Sequence, residues 1–227
     1  MYLISNAHPE IKSAVHQCAW FSHVPREICE EAIKHICRYL QGVKTNRLTL
    51  QPNTSLELGL FINADFSGLW NYKDNHDPVC VKYRTGYVLT IVLCPIIWSS
   101  KLQTEIELRT SKAEYIALIQ AIQEIIPMLR IFSEIAAVMN LGGGETKVIK
   151  STVFEDNNGA LTTANSVNMN PLTKQISVKY CFFKHHCGKV SGTTLVKVDN
   201  LLKTADISTK KISPDKFITM RKLVCKW

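Results

Sequence analysis

No Cys-x-x-Cys pair occurs in this chain, although it carries eight cysteines: Cys18, Cys29, Cys37, Cys80, Cys94, Cys181, Cys187 and Cys225. Closely paired cysteines are the usual mark of redox and zinc sites. Scattered singly through 227 residues, these are expected to be buried free thiols rather than a disulfide framework. The nearest approach to a ligand group is Cys181-x-x-x-His185-His186-Cys187. Its spacing matches no common zinc template, and a helix surface can carry it without metal. A long hydrophobic run is also lacking. The longest, Val88–Trp98, is interrupted by Thr90 and Pro95 and falls short of the ~20 residues of a membrane helix. No membrane association is therefore expected. The first residues lack the basic, apolar, small-residue order of a secretory signal. The expected location is intracellular, cytoplasmic or nuclear, and not secreted. Internal repeats and low-complexity segments are absent as well.

Acidic residues are scarce in one part of the chain. Residues 1–145 carry 13 Lys and Arg against 14 Asp and Glu, whereas residues 146–227 carry 14 against 5. The whole net charge of +8 thus arises in the last third. A one-sided basic surplus fits a polyanionic partner through counterion release, and equally a solubilising lysine-rich surface. Hydrophobic residues at 46% and charged residues at 20% fit a soluble chain with a packed core.

Periodicity predicts two amphipathic helices at 8–22 and 26–41, the second with Ile28, Ala32, Ile36 and Leu40 on one side. Gln51–Ser55 reads as a linker. Strands are expected at Leu58–Asp65, Thr85–Leu93 and Ile96–Ser99, with a loop over Tyr72–Lys82. A helix from Ser111 to about Asn140 contains Pro127, which should kink or split it, and Gly142–Gly144 should end it. Further on come a strand at Lys147–Asp156, helices at Asn158–Ala164 and Thr173–Lys189, a strand at Thr193–Val198, and helical material from Leu201. This order predicts a mixed α/β sheet with helices on both faces.

Four acidic residues stand where these elements begin or end: Asp65, Glu114, Asp156 and Asp206. Three of them have an ordinary explanation. Ser111-Lys-Ala-Glu114 fits a capping box. Asp156 in Asp-Asn-Asn-Gly suits a turn, and Asp206 suits a solvated helix beside Lys203 and Lys210. Asp65 ends an apolar strand, and the carboxyl ends of strands in open sheets are where ligands bind. Gathered at one sheet edge, four carboxylates would repel one another unless they held cations. Hard oxygen ligands suit Mg²⁺, and two such ions can stabilise the attacking and leaving oxygens of a phosphodiester displacement. Together the four contexts read as a nuclease.

The ordered motifs Asn63-Ala-Asp65-Phe-Ser-Gly, Arg84-Thr-Gly-Tyr-Val, Trp98-Ser-Ser-Lys-Leu-Gln103, Ala113-Glu-Tyr-Ile-Ala-Leu118, Glu155-Asp-Asn-Asn-Gly-Ala160 and Ala205-Asp-Ile-Ser-Thr-Lys210 resemble the ribonuclease H domain of copia-type retrotransposon polyproteins. Upstream, His8–Val15 and Ala32–Gly42 resemble the end of the reverse transcriptase in the same polyproteins. The resemblance implies a ribonuclease H-like mixed five-stranded sheet over residues 54–227, preceded by a helical reverse-transcriptase remnant over 1–53. It implies Mg²⁺-dependent endonuclease hydrolysis of the RNA strand of RNA–DNA hybrids. Two ions, for which Mn²⁺ can substitute, would be held by Asp65, Glu114, Asp156 and Asp206. RNA–DNA hybrid is the implied partner, and a separate reverse transcriptase is a further candidate.

The departures from the family pattern favour an alternative, a catalytically impaired nucleic-acid-binding remnant of the same element. Lys112 stands where the family has an acidic residue, and Thr173-Lys-Gln-Ile-Ser177 lacks the family's histidine and aspartate. Lys211 replaces a proline, and no polymerase Tyr-x-Asp-Asp is present, so the chain reads as the tail of a truncated, drifted element.

Overall fold

In the computed structural model the described residues are 2–25, 27–50, 57–65, 78–139, 149–165, 181, 185, 193–199 and 203–227. The linker at 51–55, the glycines at 142–144, most of the loop at 72–82 and nearly all of the helix at 173–189 lie outside them.

The sheet is built around β1, Glu57–Asp65. Strand alternation sends Leu58, Leu60, Ile62 and Ala64 to one face, where all four are buried in the core. β2, Arg84–Ile91, pairs antiparallel with β1, and β4, Lys150–Glu155, pairs parallel with it. β3, Cys94–Leu102, and β5, Thr193–Lys197, complete a five-stranded mixed sheet in the order β3-β2-β1-β4-β5. The expected α/β class holds, and Asp65 closes the central strand.

The apolar run Val88–Trp98 is a hairpin. Val92 and Leu93 turn it with φ of 52° and 64°, a conformation that normally calls for Gly or Asn. Without those residues the sequence gives no turn signal, so the expected strand to Leu93 ends instead at Ile91. Pro95 stands opposite Thr90 at a register shift. An irregular position tolerates the missing N–H, which lets β3 run far beyond the expected Ile96–Ser99.

α4, Thr110–Val138, is one continuous helix of 29 residues across Pro127; it is not split. By length and composition alone it could cross a membrane, a property concealed from run-counting by Lys112, Glu114, Glu124, Arg130 and Glu134. Its first half, from Ala113 to Ile125, is instead buried against β1 and β2. α5, Asn158–Asn165, lies beside it.

The helical material expected from Leu201 is, among the described residues, a 3₁₀ turn at Thr204–Ser208 that contains Asp206 and a final helix, α6, Pro214–Cys225. Ser213 accepts from the Lys216 N–H, and Pro214 opens α6. The 3₁₀ turn presses on Gly86 of β2, where a Cβ would meet Thr209 Cγ2 at 2.3 Å.

The N-terminal segment forms α1, Tyr2–Asn6, a 3₁₀ turn at Pro9–Ile11, α2, Lys12–Trp20, and α3, Glu27–Gly42. Trp98 Nε1 donates to the Ile4 carbonyl at 2.6 Å, Lys12 Nζ to the Trp98 carbonyl at 2.5 Å and Ser13 Oγ to the Ile207 carbonyl at 3.2 Å. α3 has the expected amphipathic pattern yet buries none of its residues, and Ile28 is 71% exposed. Among the described cysteines Cys80, Cys94 and Cys225 are the expected buried thiols, but Cys37 and Cys181 are exposed. His186 and Cys187 lie outside the described residues. Of that cluster, Cys181 and His185 are described, and both are exposed.

Candidate functional site

β1 and β4 run parallel side by side, so their carboxyl ends open onto one edge of the sheet. β4 ends in Glu155, which is 0% exposed. Its Oε1 accepts the N–H groups of Asp156 at 3.1 Å and Asn157 at 3.0 Å. Asn157 Oδ1 in turn accepts from Ala160 N at 3.0 Å and so caps α5. The turn's capping work falls to these neighbours, and Asp156 is left directing its carboxylate elsewhere.

Glu114 approaches the same edge from the first turns of α4. The helix starts at Thr110, one residue before Ser111, so Ser111 is not at the cap and the capping box does not form. Glu114 Oε2 accepts instead from the backbone N–H of Ala64 at 2.5 Å, which ties α4 to the end of β1. Gly159 allows α5 to lie close, since a Cβ there would meet Ser111 Oγ at 2.3 Å.

Carboxylate oxygens of Glu114, Glu155 and Asp156 lie within 4.8 Å of one another. Burial holds Glu114 well above the ordinary carboxylate range, and the charge of Glu155 adds to the effect. Burial raises Glu155 too, against an opposing pull from Lys203. Lys203 is only 1% exposed, and its ammonium is ion-paired to Asp156 Oδ1 and stands 4.0 Å from Glu114 Oε1. Lys112, the basic departure nearest Glu114 in sequence, points away and pairs with Glu107 at 2.6 Å.

The other two sequence-predicted carboxylates are placed differently. Asp206 lies in the 3₁₀ turn, 2% exposed. Its Oδ1 accepts from Asn63 Nδ2 at 2.8 Å and pairs with Lys210 at 3.0 Å, and its Oδ2 pairs with Lys216 at 2.5 Å. Asp65, half-buried, is in register with Arg84 of β2. It follows Asn63 by two residues and by alternation shares the face toward Asp206. Arg84 is 3% exposed, and burial lowers it to about 10 while the charge of Asp65 pulls the other way. The structure thus brings Glu114 and Asp156 together, adds Glu155 and Lys203, and holds Asp206 in a lysine-rich setting of its own. Glu155 could have been found as the next inward position after Ser151 and Val153 on β4. Lys203 carries no local signal.

The fold is an α/β mixed five-stranded sheet with an acidic cluster at the carboxyl ends of its central parallel pair. The chain is homologous to a segment of the retrovirus-related Pol polyproteins of transposons. It is 30% identical over 224 residues, 99% of its own length, to the Pol polyprotein from transposon TNT 1-94 of Nicotiana tabacum, of which it spans 15%. To the Pol polyprotein from transposon RE1 of Arabidopsis thaliana it is 26% identical over 209 residues, spanning 92% of this chain and 13% of that protein. A solved structure of LC11-RNase H1, isolated from compost, is similar at 15% identity with a TM-score of 0.46, covering 67% of this chain and 92% of that one. No protein-family model matches the chain.

Proposed function

We propose that this chain is the ribonuclease H-type module of a transposon Pol polyprotein, an endonuclease that hydrolyses the RNA strand of RNA–DNA hybrids with Mg²⁺. The observation that carries the reading is the meeting of Glu114 and Asp156, 42 positions apart in sequence, at the carboxyl ends of β1 and β4. Kinship with Pol polyproteins and the basic surplus of residues 146–227 support it. Residues 1–53 are then the end of the reverse transcriptase and 54–227 the nuclease, acting inside the cell.

A divalent cation at such an edge supplies charge stabilisation and an activated water. Glu114, Glu155 and Asp156 would hold it, and Glu155 Oε2 is buried without a hydrogen-bond partner among the described residues, as an unfilled ligand atom would be. The donor set fits one ion. For a second, Asp206 would have to exchange Lys210 and Lys216 for metal.

The test is cleavage of a labelled RNA–DNA hybrid with and without Mg²⁺ or Mn²⁺. The expected result is cation-dependent cutting of the RNA strand only, abolished by Asp156→Asn and by Glu114→Gln while the fold is retained. Full activity in Glu114→Gln would remove Glu114 from the reaction. One observation favours a second reading, a catalytically impaired hybrid-binding module: a lysine ammonium already sits in the acidic cluster. Salt-sensitive hybrid binding with no cleavage under either ion would select it.

A further inference from the structure

We propose that Lys203 is a built-in counter-cation, its ammonium occupying the place of a divalent ion among Glu114, Glu155 and Asp156. The native cluster then takes up inorganic cations weakly, and it gains an ion site when the ammonium is removed. The consequence for cleavage rests on the proposed hydrolase reading; the ion-binding statement does not.

Lys203 immediately precedes the 3₁₀ turn, and its carbonyl accepts from Asp206 N at 3.1 Å. The backbone is therefore fixed where the side chain enters the edge. That side chain is 2% exposed, with Nζ paired to Asp156 Oδ1 and 4.0 Å from Glu114 Oε1. Lysine is rarely buried to this degree unless paired, and here the cluster is its partner. One positive charge faces three carboxyl groups, so the compensation is incomplete. Glu155 Oε2 records the shortfall: the residue is 0% exposed, and this oxygen accepts no hydrogen bond from the described residues. A divalent ion would bring twice the charge and bind carboxylate oxygens directly. It cannot share the space with an ammonium already in contact with Asp156, because two cations at that separation repel strongly. Competition follows from geometry.

An ordinary structural ion pair predicts otherwise. Removing Lys203 would then leave three uncompensated carboxyl groups and an unstable protein that no added ion repairs. The two views separate in Mn²⁺ titrations of the full chain, followed by the electron paramagnetic resonance of free Mn²⁺, together with thermal unfolding with and without the ion. The variants are Lys203→Met and, as a second choice that keeps a polar end, Lys203→Gln. The expected result is one Mn²⁺ bound by the variants roughly tenfold or more tighter than by the native chain. Unfolding temperature should rise with Mn²⁺ in the variants but not in the native chain, and Glu155→Gln added to Lys203→Met should abolish both gains. Equal affinity in native and variant chains would overturn the proposal. So would folded variants that bind no Mn²⁺, or variants that excess Mn²⁺ fails to restore to the folded state. If the variants bind Mn²⁺ yet leave the hybrid intact, the counter-cation stands and the hydrolase reading falls. If the native chain cleaves efficiently and binds Mn²⁺ as tightly as the variants, the hydrolase reading stands and the counter-cation falls.

Discussion

At the residue scale, the acidic edge shows how one environment can reverse the role suggested by a local motif. Ser111 and Glu114 have the spacing of a capping box, but a helix whose cap is Arg109, two residues before Ser111, turns Glu114 from a cap into an acceptor for β1. Burial then makes its charge costly. Glu114 and Glu155 both hold their protons more tightly in the folded chain than at the ordinary value of 4.5. Below that value the folded state keeps the full benefit. As pH rises through the unfolded value and then the raised folded ones, the unfolded chain loses its protons first, and stability falls. Metal-free thermal unfolding should therefore show a falling melting temperature from about pH 5 to about pH 8. Glu155→Gln keeps an acceptor for the Asp156 and Asn157 amides while removing a buried charge, so it should flatten that slope. At about pH 8 it should raise the melting temperature by ~2–4 °C, if ~1 kcal/mol is recovered. A slope unchanged in this variant would place the titration elsewhere. Asp65, Glu114, Asp156 and Asp206 were visible as candidates because each lies at an element boundary. The partition among them was not, since it depends on Lys203, Lys210, Lys216 and Asn63, which meet them only through the fold.

At the element scale, period and punctuation located most of the sheet. β1 was legible from the alternation of Leu58, Leu60, Ile62 and Ala64, and α4 from its long periodic stretch. The β2–β3 turn was not, because Val92 and Leu93 adopt positive φ without a residue suited to it. Helical material after Leu201 was legible, but its division into a 3₁₀ turn and α6 was not, since the turn packs on β2. Gly86 is the point of contact, and a Cβ there would meet Thr209 Cγ2 at 2.3 Å and Ser208 Cβ at 3.0 Å. Gly86→Ala should therefore lift the 3₁₀ turn and destabilise the chain by ~1–3 kcal/mol, as overpacking does. Hydrogen exchange should report it first, as faster exchange at Asp206, Thr209 and Lys210, whose N–H groups bond within the turn. Unchanged exchange there would mean that Thr209 simply rotates away.

At the scale of the whole molecule, two features decide how the chain should be handled. The first is that packing crosses the sequence boundary at 53/54. Ile4 accepts from Trp98, Lys12 reaches the Trp98 carbonyl, and Glu10, 3% exposed, receives the Cys225 thiol at 3.4 Å. Removing residues 1–53 should expose Trp98 and leave Ser13's and Lys12's acceptors bare, at a cost of several kcal/mol given ~1 kcal/mol per hydrogen bond plus lost apolar burial. A truncated protein that melts at the temperature of the full chain would show these contacts to be dispensable. The second feature is charge. Pairs such as Lys203–Asp156 and Lys216–Asp206 subtract one charge of each sign, so the surplus of 14 basic over 5 acidic residues in 146–227 survives the internal pairing. A polyanion meeting that surplus releases the counterions condensed on it, and affinity should depend steeply on salt. With as few as three phosphates neutralised, hybrid affinity should fall roughly 40-fold between about 50 and about 200 mM monovalent salt. The measurement is fluorescence anisotropy of labelled hybrid in EDTA, which removes cleavage and any metal bridge from the reading. Because Lys203 is inside the fold and already paired, Lys203→Met should leave the slope of log affinity against log salt unchanged. A slope near zero in the native chain would assign the surplus to solubility. A slope that Lys203→Met reduces by about one would instead put the buried ammonium on a phosphate, in conflict with its place among the carboxylates.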